Sequence, residues 1–143
     1  MESKRLETLK QLADGVAAQF GNKCEVVIHE VSSGRMDHSI VYIVNGHVSG
    51  RQVGDGASQV ALEQFLDQQA QPKDHLCYLT KTPTGKILKS SSIYIHNSRG
   101  AVVAIFSINY DVSSLMMMQQ AIGEMLSTED KNQAEPEKII NVN

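Results

Sequence analysis

The sequence predicts an α+β fold: one five-stranded antiparallel sheet with helices on one face and a flanking helix at each end. Five short runs of β-branched and aromatic residues, each bounded by turn residues, are typical of strands. The predicted strands are residues 24–31, 39–44, 76–80, 87–96 and 101–110. Apolar residues that recur at three- and four-residue steps predict helices. The predicted helices are residues 3–20, 57–71 and 112–126.

The connections between neighbouring predicted strands are short and contain Gly or Asn. SSGRMD joins the first two strands, whereas residues 83–85 (PTG) and 97–100 (NSRG) join the last three. Links of this length predict hairpins. We therefore expect the first two strands to pair and the last three to form a meander. The final strand, AVVAIFSINY, is the most apolar and is expected at the centre of the sheet.

The first helix has one apolar stripe that ends before Gly21-Asn22, a helix-stop pair. The stripe consists of Leu6, Leu9, Leu12, Ala13, Val16, Ala17 and Phe20. Such a stripe either covers the sheet or pairs with a copy of itself. The sequence leaves both arrangements open.

Composition limits the classes of function. The chain has 143 residues, enough for one domain with its own core, and 41% of them are hydrophobic. With 13 basic and 16 acidic residues, it lacks the basic excess of a nucleic-acid-binding surface. No apolar run approaches the ~20 residues of a membrane span, and the N-terminus lacks a signal-peptide core. We expect a cytoplasmic protein without a membrane partner.

The first candidate polar cluster follows the second predicted strand, in residues 38–55 (HSIVYIVNGHVSGRQVGD). Asn45-Gly46 permits a sharp turn. Asn45, His47, Ser49 and Arg51 are then displayed at the end of a rigid strand, where binding residues are common. An ordinary surface loop is the alternative.

The second candidate cluster lies within the predicted strand 87–96. Strand alternation places Lys89 and Ser91 on one face, and Ser90 and Ser92 on the other. Small hydroxyl groups on a face otherwise destined for the core leave room for a small ligand. Asn109, a lone amide in the apolar last strand, is a further candidate for the same floor. The alternative is that the serines lie on an exposed edge strand.

We therefore predict a small-molecule site. Its candidate ligand-binding residues are Asn45, His47, Arg51, Lys89, Ser90, Ser92 and Asn109. An arginine and a lysine near one pocket favour an anionic group, so a carboxylate-bearing metabolite such as an amino acid is the hypothesis.

Cofactor and enzyme chemistry are not expected. A metal would have to recruit four residues without recognised zinc spacing: Cys24, His29, His75 and Cys77. The two isolated cysteines are instead expected to be buried. Haem would need His29 or His47 in the pocket, and His29 is better explained as a core histidine that bonds a backbone carbonyl. Ser91 with His47 lacks a nucleophile elbow, so no catalytic residue is predicted.

Three segments together resemble the YheO-like PAS domain of bacterial transcriptional regulators. They are HSIVYIVNGHVSGRQVGD, YLTKTPTGKILKSSSIYI and AVVAIFSINYDVSSL, and the resemblance covers residues 6–126. It implies a PAS-like sensor domain over residues 1–126, placed ahead of a C-terminal helix-turn-helix in the family. Residues 127–143 are then expected to be a polar linker and, at Ile139, Ile140 and Val142, the start of a DNA-binding part that this chain lacks.

Two functions from different classes remain. The resemblance implies a ligand sensor that signals through its final helix to a DNA-binding part. A homodimer is expected and is compatible with both functions. The alternative is a ligand-free dimerisation module, in which the loop 45–56 and Met116-Met117-Met118 contact a partner. Methionine suits such a contact because it adapts to varied surfaces.

Overall fold

Two α-helices and five strands are found in the described part of the chain. The computed structural model describes residues 1–32, 34, 36–57, 73–129 and 138–142. In chain order the elements are α1 (Ser3–Phe20), β1 (Cys24–Glu30), β2 (Ile40–Val44), β3 (His75–Lys81), β4 (Ile87–His96), β5 (Val102–Asp111) and α2 (Ser113–Leu126). The predicted helix over residues 57–71 lies, apart from Ala57, outside the described residues.

The five strands form one antiparallel sheet in the order β2-β1-β5-β4-β3. The predicted hairpin of β1 with β2 and the meander of β3, β4 and β5 are both confirmed. β5 is the central strand, as its apolar sequence predicted. β5 has a neighbouring strand on each side, and its residues from Val103 to Ser107 are all buried.

α1 packs on one face of the sheet, so the first of the two arrangements left open for its stripe is the observed one. Leu9, Ala13 and Ala17 are buried in a core cluster. The sheet residues of that cluster are Cys24, Val26, Ile28, Ala104 and Phe106. We call this side the helix-covered face.

The predicted apolar stripe of α1 is wider than the contact it makes. Leu12 and Phe20 are exposed, although both were assigned to the stripe. With about 3.6 residues per turn, Leu12 points well to one side of the line through Leu9, Ala13 and Ala17. Phe20 is the last residue of the helix, which ends where Gly21 adopts a positive φ of 86°.

The opposite side of the sheet, which we call the polar face, carries hydroxyl, amide, carboxylate and imidazole groups. Its buried polar residues are Glu25, His29, Ser90, Ser92, Ser107 and Asn109. Strand alternation explains the separation, since β4 buries every second residue from Leu88 to Tyr94. Ser90 and Ser92 are buried on a strand with a neighbour on each side, so the alternative that they lie on an exposed edge strand is excluded.

The chain forms two compact units, residues 1–111 and 112–143. The first contains α1 and the whole sheet, and the second contains α2. Of the predicted buried cysteines, Cys24 is buried and Cys77 is exposed at a β-bulge with a positive φ of 57°. That bulge turns Cys77 out of the regular alternation of β3.

Candidate functional site

A cavity of about 380 Å³ opens on the polar face. Its floor is formed by β1, β5, β4 and β3, and its rim by the loop after β2 and the turn after β3. The lining residues are His29, Ser49, Arg51, Tyr78, Thr80, Lys81, Thr82, Pro83, Leu88, Ser90, Ser92, Ser107 and Asn109. The volume lies at the small end of the ~300–1,000 Å³ typical of ligand pockets.

Four of the seven candidate residues from the sequence line this cavity: Arg51, Ser90, Ser92 and Asn109. The sheet brings the last three together, because Ser90 pairs with Asn109 and Ser92 pairs with Ser107 across β4 and β5. The two polar clusters predicted from the sequence therefore converge in part on one space.

The other three candidates, Asn45, His47 and Lys89, are not among the lining residues of the cavity. The Asn45 amide donates to the carbonyl oxygen of Cys24 at 2.8 Å, which ties the loop to β1. His47 is exposed, and its carbonyl oxygen accepts from Lys86 Nζ at 3.2 Å. Lys89 is exposed on the side of β4 opposite to Ser90. Lys81 belongs to the cavity lining, but it is exposed and alternates with Thr80 along β3, so its side chain lies on the opposite side of the strand from the Thr80 hydroxyl.

Glu25 is a fully buried carboxylate beneath the loop. Its Oε1 accepts from Asn109 Nδ2 at 2.9 Å, and its Oε2 accepts from the backbone N–H of Ser49 at 3.0 Å and from the Ser49 hydroxyl. Arg51 Nη2 lies 3.5 Å from Oε1. Buried carboxylates are tolerated when they are paired and hydrogen-bonded in this way. Glu25 therefore fixes the loop that carries Arg51.

Two of the three guanidinium nitrogens of Arg51 face protein groups, and the third has no hydrogen-bond partner among the described residues. Its Nε donates to the Ser49 hydroxyl at 3.1 Å, while Nη2 faces Glu25. Nη1 is buried and has no hydrogen-bond partner among the described residues. Since a guanidinium group presents its donors in a planar fork, Nη1 retains donor capacity for an oxygen acceptor.

The loop reaches this position through two backbone features. Asn45 adopts the left-handed conformation, with φ 58° and ψ 41°, and starts a short 3₁₀ helix, Gly46–Val48. A side chain at Gly46 would bring a Cβ within 2.5 Å of the Arg51 carbonyl oxygen. Glycine is therefore required at Gly46 so that the chain can fold back and place Arg51 at the cavity.

Hydroxyl pairs form much of the floor. The Tyr78 and Ser92 hydroxyls are 3.0 Å apart, as are those of Thr80 and Ser90. Each pair uses one of its two protons for the mutual bond, so each keeps a donor as well as acceptor capacity. This floor can bind a ligand that carries both donors and acceptors.

His29 lines the cavity as a neutral ring. It is 1% exposed, and its Nδ1 lies 2.7 Å from the Ser39 hydroxyl. Its partner is therefore a side chain and not the backbone carbonyl expected from the sequence. Burial, with the nearby Arg51 charge as a second cause, lowers the pKa of His29 to about 3. The ring adds no positive charge to the cavity at neutral pH.

Sequence reasoning missed several of the residues that form the site. Glu25 shares a face with His29 on period two, and a carboxylate on an otherwise apolar strand is a signal that could have been used. Tyr78 and Thr80 alternate in the same way along β3. Ser107 carries no comparable signal, because a single serine in an apolar strand is common.

Two kinds of feature are absent from the described residues, a metal-binding cluster and a membrane-spanning helix. Across these residues, no three His, Cys, Asp or Glu side chains come together as a metal site requires. In the same part of the chain, no helix combines the length and apolar character needed to cross a bilayer.

The five-stranded antiparallel sheet with its flanking helices is a PAS-like fold. A solved structure of similar fold is an RNA-binding light-oxygen-voltage receptor, which aligns with a TM-score of 0.51 at 12% identity. The alignment covers 82% of this chain and 38% of that one. At this identity the similarity concerns the fold alone.

The chain belongs to the YheO-like PAS domain family, whose family model matches residues 1–127. It is 32% identical over 122 residues to the transcriptional regulator DauR of Pseudomonas aeruginosa, which is 85% of this chain and 54% of DauR. It is 30% identical over 108 residues to the uncharacterised protein YheO of Escherichia coli K12, which is 75% of this chain and 44% of YheO. The chain spans about half the length of these relatives.

The resemblance inferred from the three sequence segments is thus confirmed, and so is the PAS-like fold. The family is one of regulatory PAS domains, with a transcriptional regulator among the relatives, and not a family of enzymes.

Proposed function

We propose that this chain is the ligand-sensing domain of a transcriptional regulator and that it binds a small carboxylate-bearing metabolite in the cavity. The family and the relative DauR support a regulatory role. The ligand assignment rests on Arg51, which lines the cavity and whose buried Nη1 has no hydrogen-bond partner among the described residues.

The charge of the lining favours an anion. Arg51 is cationic, and none of the described lining residues is a carboxylate. Lys81 pairs with Ile87, so its side chain lies on the opposite side of β3 from Thr80 and contributes no charge to the cavity. Glu25 offsets part of the charge of Arg51. It contacts Nη2, whereas Nη1 has no hydrogen-bond partner among the described residues. A carboxylate oxygen on Nη1 would gain a charge-assisted hydrogen bond.

The size and polarity of the cavity favour a metabolite over a large cofactor. A volume of about 380 Å³ accommodates a molecule of amino-acid or organic-acid size. Hydroxyl groups on the floor suit a ligand with several hydrogen-bonding atoms. Haem and a resident metal therefore stay outside the proposal.

A thermal shift screen tests the proposal. Amino acids and short organic acids are compared with their uncharged amide counterparts. A ligand at 100 times its Kd adds about 2.7 kcal/mol to the free energy of unfolding. We expect at least one carboxylate to raise Tm in a concentration-dependent way, and its amide to have a much smaller effect.

Arg51 variants then locate the binding. Arg51→Ala should weaken binding of the carboxylate found in the screen by about tenfold or more, since it loses a charge-assisted hydrogen bond of ~1.5–3 kcal/mol. Arg51→Lys keeps a charge beside Glu25 and loses the planar fork, so it tests the same contact in a less perturbed fold. Arg99→Ala, at an exposed arginine in the β4–β5 turn, is the matched control. Equal affinities for all these proteins would remove Arg51 from the site.

The proposed output is a signal passed through α2 to a DNA-binding part elsewhere in the whole regulator, which acts in the cytoplasm as a homodimer. The chain itself supplies the sensor. The approximate half-length match to the relatives supports such a longer arrangement.

A ligand-free dimerisation module is the second candidate, and the exposed apolar residues of α2 favour it. Met116, Met117 and Met118 are all exposed, as are Ile122 and Met125. Light scattering on the protein and on Met117→Lys distinguishes the candidates when it is combined with the screen. A dimer that dissociates in the variant, with no thermal shift from any compound, would favour the module.

A further inference from the structure

We propose that Ser107 is a ligand-binding residue whose hydroxyl hydrogen-bonds a polar group of the metabolite. This inference rests on the proposed function. Ser107 lies on the central strand β5, lines the cavity and is 5% exposed. Its Oγ is buried, and no group among the described residues is its hydrogen-bond partner.

The residues on the neighbouring strands explain why the Ser107 hydroxyl has no hydrogen-bond partner in the sheet. Directly paired residues of an antiparallel sheet have Cβ atoms about 4.5–5.5 Å apart, so Ser92 on β4 is within reach of Ser107. The Ser92 hydroxyl instead pairs with that of Tyr78 at 3.0 Å. On the other side Ser107 pairs with Val27, which has no polar side chain.

A buried hydroxyl without a protein partner is unusual, because most buried polar side chains are hydrogen-bonded. Alanine at this position would fill nearly the same volume without that penalty. Ser107 is therefore better explained by what enters the cavity than by the stability of the sheet. The same hydroxyl both donates and accepts, so it can serve a carboxylate oxygen or a second polar group.

The position of Ser107 fits the rest of the site. It lies two residues from Asn109 along β5, which is about 7 Å in a strand. Asn109 contacts Glu25, and Glu25 contacts Arg51. A small ligand held by the free nitrogen of Arg51 therefore occupies the same part of the polar face as Ser107.

Ser107→Ala provides a test in which affinity and stability respond differently. The probe is the amino acid or organic acid that gives the largest thermal shift in the screen. By calorimetry, we expect the variant to bind it about threefold to tenfold more weakly, as one lost hydrogen bond predicts. The Tm of the unliganded variant should be unchanged or higher, because no protein bond is lost.

Ser98→Ala, at an exposed serine in the β4–β5 turn, is the matched control and should leave both quantities unchanged. Wild-type affinity in Ser107→Ala would overturn the role of Ser107 while the proposed function stood. A lower Tm for unliganded Ser107→Ala would also overturn it, because the hydroxyl would then have a structural partner. If no compound in the screen binds the wild-type protein, the proposed function fails and the role of Ser107 fails with it.

Discussion

Glu25 and Arg51 are the two charged residues on which the geometry of the site depends. Glu25 is fully buried, and the side chain of Arg51 is 21% exposed. Taking a carboxylate out of water is unfavourable, and the donors of Ser49, Asn109 and Arg51 offset that cost. The pair therefore links β1, β5 and the loop after β2.

A double-mutant cycle tests this link. Arg51→Ala should lower the free energy of unfolding by about 2–3 kcal/mol, below the ~3–5 kcal/mol of a fully buried pair because part of Arg51 reaches solvent. Adding Glu25→Gln should cost less than it does in the wild type, because the charge it removes has already lost its partner. Urea denaturation gives the four free energies.

The exposed pair Glu7–Lys10 on α1, with an N···O distance of 3.8 Å, is the control cycle. Its coupling should stay within about 0.5 kcal/mol. If the coupling free energy between Glu25 and Arg51 is equally small, their ion pair does not fix the loop after β2.

His29 makes the stability of the domain depend on pH. Its folded pKa of about 3 lies below the unfolded value of 6.5, so between these values the unfolded state binds the proton and the folded state does not. Its contribution is complete above about pH 6.5 and is lost as pH falls towards about 3, by up to ~1.4 kcal/mol per pH unit. Denaturation curves across this range measure the slope.

His29→Gln should reduce that slope, because glutamine can still bond Ser39 and does not titrate. The control is His47→Gln, at an exposed ring, which should leave the slope unchanged. An identical slope in His29→Gln and the wild type would mean that the ring takes up its proton in the folded state as well.

At the level of elements, α1 stabilises the sheet through a narrow line of contacts. Leu9→Ala should lower the free energy of unfolding by about 2–4 kcal/mol, because it leaves a cavity against the helix-covered face. Leu12→Ala on the same helix is the control, and should change stability by less than about 0.5 kcal/mol because Leu12 is exposed. Similar losses in both variants would show that α1 packs on another side.

The strands and their pairing could be predicted from the sequence because their signals are local. The bounds of β4 are those predicted, and Ser90 and Ser92 were assigned to one face from alternation alone. The short turns before β4 and β5 were sufficient to predict the meander. The central place of β5 followed from its apolar residues.

The loop after β2 shows where sequence reasoning stopped. It correctly singled out Arg51, but it could not separate Arg51 from Asn45 and His47, because side-chain direction in an irregular segment has no period. The partner of Arg51 is Glu25, 26 residues away on another element. A contact between residues on different elements depends on the path of the folded backbone, which the spacing of residues in the sequence does not reveal.

At the scale of the whole molecule, the sheet separates two kinds of chemistry. The helix-covered face is an apolar core closed by α1, and the polar face carries the buried carboxylate, the imidazole and the hydroxyl groups around a cavity. Burying such a face is unfavourable unless each of its polar groups has a hydrogen-bond partner. Two groups there, Arg51 Nη1 and Ser107 Oγ, have none among the described residues.

The most direct test of a ligand site on the polar face is an NMR titration of isotope-labelled protein with the carboxylate that gives the largest thermal shift. We expect saturable chemical-shift changes for Arg51, Ser90, Ser107 and Asn109 on the polar face and its rim. Residues whose side chains lie only on the helix-covered face, such as Ala13 in α1, should change little. Changes centred on α1 with none at Arg51 and Asn109 would contradict the claim that the cavity on the polar face is the ligand site.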